Sequence, residues 1–188
     1  MINTTAPSLL GNTPPQFSTA DSTLTPHTLL DLMYDGFYAL FMLKNRCTPN
    51  NETLFSDNVT QFLDDFDRRA KKMGASADDT HSAKYAFCAA VDEMILRSQF
   101  NIRAAWERRP LQLAIFGDQL AGENFFHRLE ELRAKGSKHI QALEVFHMCL
   151  LLGFEGKYII EGSEKLNYLT ARLGDEIALL KGKSAEFS

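Results

Sequence analysis

Cysteine is scarce and poorly spaced for chemistry. Cys47, Cys88 and Cys149 include no short-spaced pair, which argues against a disulfide framework or a zinc site. Cys88 and Cys149 lie inside apolar helical runs, where a free thiol behaves as a small hydrophobe; a reducing compartment is the expectation. Basic charge is also in short supply. The formal net charge is -4 and the isoelectric point about 5.7, with no basic stripe of the kind a nucleic-acid binder presents. Long apolar runs are missing: Leu29 to Leu43 and Val145 to Phe154 are too short or are interrupted by Asp31, Asp35 and His147, whereas a bilayer span takes about 20 apolar residues. The N-terminus lacks the basic-then-apolar order of a secretory signal, so the chain as given reads as soluble. No segment alternates polar and apolar residues over a useful length, which argues against half-buried strands, and no internal repeat is visible.

What is present is helical periodicity. With 188 residues and 45% hydrophobic composition the chain can bury a core, and its length favours one domain with room for two sub-bundles. Residues 1–24, rich in Thr, Ser, Asn and Pro, read as a disordered tail. Thr25-Pro26 then suggests a cap followed by proline at the first helical position; this helix, with Leu29, Leu30, Met33, Tyr34, Phe37, Tyr38, Leu40 and Phe41 on a wide arc, should end near Arg46. A second helix is expected from Glu52 to Met73, stopped by Gly74. A third is expected from Ala77 to Gln99, opened by a Ser76/Asp79 capping box and apolar almost all round from Tyr85 to Leu96. The stretch Asn101 to Pro110, which holds the only tryptophan, Trp106, reads as less regular. Further helices are expected at Leu111–Phe116, Glu123–Lys135, Lys138–Leu152 with Ser137 as cap, and Ser163–Leu180. The helical domain is therefore placed at 25–181, with a tail over 182–188. In the charge run from Asp64 to Lys72, Asp64, Asp65 and Asp67 each stand four residues before Arg68, Arg69 and Lys71, the favourable order for pairs on a solvated helix face.

Three features could carry chemistry. Gly153, Phe154, Glu155, Gly156, Lys157 and Tyr158 interrupt an apolar run with two glycines and a lysine. A phosphate-binding P-loop would need four residues between the glycines and a Ser or Thr after the lysine, so a helix stop is the better reading. Asp92 and Glu93 sit in the middle of the apolar third helix. At 100° per residue they point in different directions: Glu93 can meet Arg97 one turn on, while Asp92 shares a face with Tyr85, Cys88 and Ile95 and must cap another helix, meet a base or line a cleft. Glu144 and His147 have the Glu-x-x-His spacing of di-iron bundles, but that site needs a second such motif. A helical carboxylate metalloprotein using Glu144, His147, Asp92 and Glu123 is the alternative reading. No serine, cysteine or histidine arrangement certifies a nucleophile.

Tyr85-Ala-Phe-Cys-Ala-Ala-Val-Asp-Glu93, the segment Phe116 to Phe126, the segment Leu143 to Tyr158, and Trp106 before the second of these occur in an order that resembles the cytoplasmic domain of the DotU/TssL family, inner-membrane components of type VI secretion systems with relatives in type IVB secretion. The resemblance runs from about Thr25 to Leu180. It implies an all-α fold of about seven to eight helices in two small bundles forming a hook, no sheet, no enzymatic activity and no cofactor or metal. It also implies a cleft between the bundles with Asp92 and Glu93 as an acidic, partner-binding pair, and a turn over Gly153 to Tyr158 that is structural or meets a partner. Implied partners are a TssM-type inner-membrane subunit, a TssK-type baseplate subunit and, indirectly, a TssJ-type lipoprotein, with a homodimer as a further option. The family's usual C-terminal membrane helix is absent from this sequence, so the expectation is a domain facing the cytoplasm whose full-length form is anchored in the inner membrane. Where the family more often has His-Gly-Glu, this chain has Phe116, Gly117 and Asp118.

Overall fold

A computed structural model describes residues 25–49 and 51–186; the expected tail over 1–24 lies outside them. Among the described residues every regular element is helical and there is no strand. Joined across their short breaks the helices number seven, in line with the expected seven to eight.

The first helix starts later than the proline suggested. Thr28, not Thr25, is the cap: its side chain accepts from Asp31 N–H at 3.1 Å, and the Asp31 carboxylate accepts from Thr28 N–H at 3.1 Å. Such a reciprocal box needs an acid three residues after the cap, which Thr28 has and Thr25 lacks. The helix breaks at Met33 into α1 (Leu29–Leu32) and α2 (Tyr34–Lys44).

Asn51 caps α3 (Glu52–Lys72), which buries Phe55, Val59, Leu63, Phe66 and Ala70 along one stripe. Of its acid-base ladder, Asp65 meets Arg68 three residues on rather than four, and Asp67 reaches across to Lys84 at 2.6 Å. Lys84 lies on α4 (Ala77–Leu96), so one expected surface pair instead ties two helices.

α4 is the axis of the molecule. From Tyr85 to Asp92 every residue is buried, as its apolar circumference foretold. Ser76 caps it, but the Asp79 side chain does not close the box; it is buried and bonded to His139 instead. The helix stops at Leu96, short of Gln99, because other groups occupy its terminal carbonyls: the Ser98 hydroxyl donates to Ile95 C=O and Arg103 Nε to Leu96 C=O, both at 2.6 Å.

The expected irregular stretch contains a helix, α5 (Arg103–Arg108), whose formation is explained by burial of Trp106 against Phe55. α6 (Leu111–Phe116) matches its expected bounds. α7 (Ala121–Lys135) is followed by a tight 3-10 turn over Gly136–His139 and by α8 (Ile140–Leu151). Ser137 falls inside that turn and caps nothing. After a short α9 (Tyr158–Glu161), α10 (Ser163–Glu186) runs past Leu180, through Gly182, with Lys181 held by Glu144.

The helices pack around α4: α8 runs along it, backed by α7 and α10, and α2 and α3 also pack on it, while α1 bridges α3 and α8, its Leu29 N–H donating to Gln141 Oε1 at 3.0 Å. The core is one continuous cluster. α10 is fastened by Arg133 to Glu176 at 2.6 Å and by Lys181 to Glu144 at 3.3 Å. Gly36 lets α2 approach its neighbours. A Cβ there would stand 2.8 Å from both the Phe62 and the Phe87 ring, so Gly36→Ala overpacks a filled site and is expected to cost about 1–3 kcal/mol in denaturant unfolding. A neutral result would show that the two rings can move aside.

Candidate functional site

Asp92 and Glu93 sit side by side on α4 yet serve different walls. Asp92 is 5% exposed and accepts three hydrogen bonds: from Trp106 Nε1 at 2.8 Å, Leu111 N–H at 2.9 Å and Gln112 N–H at 2.9 Å. The residue before α6 is Pro110, which offers no capping side chain. Asp92 therefore caps α6 from another helix, satisfying first-turn donors that would otherwise be orphaned. Burial pushes its carboxyl up to about 6, outweighing the three donors. Its ionisation is thus opposed in the fold: the native state holds the proton more tightly than the unfolded chain, and the associated stability is present below about pH 4 and lost as pH rises through about 6. Relative to Asp92→Asn, which does not titrate, the native chain is expected to lose on the order of 2–3 kcal/mol between pH 4 and 7. Parallel pH profiles in urea would contradict this.

Glu93 accepts from Glu155 N–H at 2.9 Å and Gly156 N–H at 2.7 Å. Its carboxyl is also raised by burial. The glycine turn does cradle an anion, but that anion is the chain's own Glu93. Arg97, the expected partner of Glu93, bonds Glu155 at 3.0 Å.

The rest of the turn is equally committed. Gly153, at φ +109°, follows the end of α8. Phe154 is buried, its ring 4.2 Å from that of Phe125. Lys157 N–H donates to Gly122 C=O at 3.0 Å, tying the turn to the start of α7. The Tyr158 ring stands edge-on to Phe126 at 4.8 Å, with the Lys157 ammonium 5.3 Å from the Tyr158 ring centre. Phe116 packs on Tyr85 and His81, and Asp118 receives the Tyr85 hydroxyl.

Beside the turn a cleft of about 610 Å³ opens where α2, α4 and α8 end. Its floor includes Leu40, Leu43, Met94, Phe100, Leu152 and Phe154. Lys44, Arg46 and Arg97 line it as well; among the described residues Glu93 is its one carboxylate, and Asp92 does not line it. The structure thus separates the acidic pair, and it brings in cations that the sequence reading passed over. Their signal was the Lys44-Asn45-Arg46 run at a helix end, where basic residues are common.

The metal alternative is not assembled. Asp92 is bonded to α6, Glu144 to Lys181, His147 packs against Gly174 and bonds the Thr170 backbone, and Glu123 is exposed. No group of three or more His, Cys, Asp or Glu side chains among the described residues is placed to hold a metal.

Fold and cleft define a class, an all-α domain packed around one central helix, α4, with an open cleft where α2, α4 and α8 end. The chain belongs to the DotU family: it matches the family described as type VI secretion system protein DotU over residues 28–188, a structural component of the secretion membrane complex. It is 51% identical to the cytoplasmic domain of TssL from Acinetobacter baumannii, with a TM-score of 0.80 over 81% of this chain and 98% of that one. TssL from Vibrio cholerae shares the fold at 23% identity, with a TM-score of 0.70 over 84% of this chain and 99% of that one. SciP/TssL from enteroaggregative Escherichia coli shares it at 24% identity, with a TM-score of 0.61 over 69% of this chain and 75% of that one. No curated protein matches the chain. Among the described residues no helix is long and apolar enough to cross a membrane.

Proposed function

We propose that this domain is a non-enzymatic docking module of the type VI secretion membrane complex, facing the cytoplasm at the inner membrane. It joins the TssM-type inner-membrane subunit to the TssK-type baseplate subunit, with the TssJ-type lipoprotein reached only indirectly. The observation that carries this reading is the open cleft at the meeting of three helix ends, in a family whose members are parts of a secretion apparatus. In this reading Glu93 acts through a wall of the cleft by fixing the turn after α8, while Asp92 supports the fold behind it by capping α6. A partner then meets a preformed surface, which lowers the ordering cost of association.

Mixing the purified chain with each purified candidate subunit and following co-elution tests the proposal. Binding of the baseplate or the inner-membrane subunit is the expected result. Failure of both to bind a folded chain would remove the docking role.

A further inference from the structure

We infer that the cleft takes an acidic, apolar-anchored peptide segment of a protein partner, with carboxylates received by Lys44 and Arg46 and an apolar side chain seated on the floor between them and Phe100. This deepens the docking reading above and rests on it for the partner's identity, though not for the peptide's chemistry.

Charge sets the sign. Three cations line the cleft against the single carboxylate of Glu93, and both Glu93 oxygens are occupied by backbone N–H groups of the turn. Arg97 is paired with Glu155. The Lys44 and Arg46 side chains have no hydrogen bond or ion pair among the described residues. A basic segment would face two unpaired like charges here, whereas an acidic one would neutralise them, and complementarity of this kind selects partners and speeds encounter.

Helix ends attract cations on their own account, and Lys44 partly answers to that: its ammonium would lie 3.7 Å from a Cβ on Gly153, at the end of α8. Arg46 does not. The last turn of α2 closes with Cys47 N–H on Met42 C=O at 2.9 Å and Arg46 N–H on Leu43 C=O at 3.0 Å. That is the bonding of a Schellman stop, and the residue at its left-handed position is ordinarily glycine. Here it is Arg46, at φ +66°, the only non-glycine with positive φ among the described residues. The stop itself needs no side chain at that position, and among the described residues the guanidinium makes no hydrogen bond or ion pair that would offset the strain. A strained residue of this kind, held by its surroundings beside a cleft, points to a role for its side chain.

An anionic bilayer is the less suitable occupant. The cations border an apolar recess rather than a flat face, which a side chain can enter and a bilayer surface cannot.

The test uses fluorescence anisotropy with a short peptide of glutamate, leucine and phenylalanine and its counterpart with lysine for glutamate, against the native chain, Arg46→Gly, and Lys44→Glu combined with Arg46→Glu. The acidic peptide should bind the native chain, and lose about tenfold or more in affinity with either variant. The lysine peptide should bind none of them better than background. Arg46→Gly should melt no lower than the native chain, so its loss of binding cannot be loss of fold. Equal affinity of native chain and variants, or preference for the lysine peptide, overturns the inference. So does co-sedimentation with phosphatidylglycerol vesicles that is abolished by Arg46→Gly without any peptide binding. Co-elution with the purified subunits is read separately: if they bind Lys44→Glu/Arg46→Glu as well as the native chain, docking stands and the cleft chemistry falls. If they bind neither while the acidic peptide binds as stated, the docking reading falls and the cleft chemistry stands.

Discussion

Asp92→Ala should lower stability by about 3 kcal/mol or more, one of the largest effects of any single polar substitution in the domain. Among the described residues the carboxylate is the only acceptor for Trp106 Nε1–H and for the backbone N–H groups of Leu111 and Gln112, all of them in buried residues. Removing it leaves three donors without water or partner, and each buried unsatisfied group costs about 1–3 kcal/mol. Relief of the desolvated charge offsets part of that sum, because the carboxyl is already held up at about 6 by burial. For a chain of this size the net loss corresponds to a fall of about 6–12 °C in Tm. Asp92→Asn keeps one acceptor oxygen but turns an amide toward donors, so it should fall between native and alanine. Equal melting of Asp92→Ala and the native chain would mean that α6 finds another cap or is not held by Asp92 at all. Any loss of partner binding in Asp92→Ala must be read against this structural damage, since the residue does not line the cleft.

Much of this arrangement was legible in the sequence, for identifiable reasons. α4 announced itself as central because its apolar residues surround the helix, and a helix without a polar face has nowhere to go but inside. An aspartate within that stripe had to be satisfied, and capping was one of the few available solutions. What periodicity could not supply was the partner. Pro110 lies 18 residues after Asp92, and only tertiary packing brings α6 above it. Glu93 was harder still. Local spacing offered Arg97 one turn away, but the actual donors are backbone N–H groups of the turn at 155–156, and backbone groups leave no mark in a sequence. The same limit explains Asp79, which lost its capping-box role to His139 sixty residues away.

The cleft was legible only in outline. Both its existence and its expected acidic character came with the family resemblance, which implied Asp92 and Glu93 as its pair. Helical geometry separates neighbours by 100°, so two adjacent acids rarely act on one ligand unless the helix is viewed from between them. Here one is withdrawn beneath α6 and the other is bound to the turn. The cations come from three places: the end of α2, the residue after its C-cap and the C-cap of α4. Arg46 gave no conformational signal, since nothing in Asn45-Arg46-Cys47 asks for positive φ except the arrival of Thr48-Pro49 and the need to end α2.

Gly156→Ala should be comparably damaging, at about 2–4 kcal/mol, whereas Gly153→Ala and Lys157→Ala should cost less, in that order. A Cβ on Gly156 would stand 2.7 Å from the Gly122 carbonyl oxygen, 2.8 Å from the Phe126 ring and 3.1 Å from Phe154. The carbonyl cannot retreat freely, because it accepts from Lys157 N–H, and the rings are locked in the stack of Phe125, Phe126 and Phe154. The backbone at φ +53° adds the ordinary left-handed penalty for an L residue of about 1 kcal/mol. Overpacking and strain therefore act at one atom. Gly153 has a positive φ too, but a Cβ there meets only the flexible end of Lys44 at 3.7 Å, so strain alone remains, about 1–2 kcal/mol. Lys157 contributes a cation near two ring faces, about 0.5–1 kcal/mol at a half-buried site. Urea titrations of the three variants settle the ranking. A Lys157→Ala loss exceeding that of Gly156→Ala would place the stabilising contact in the lysine side chain. It would also remove the view that the turn exists to let two backbones touch while Glu93 holds them there.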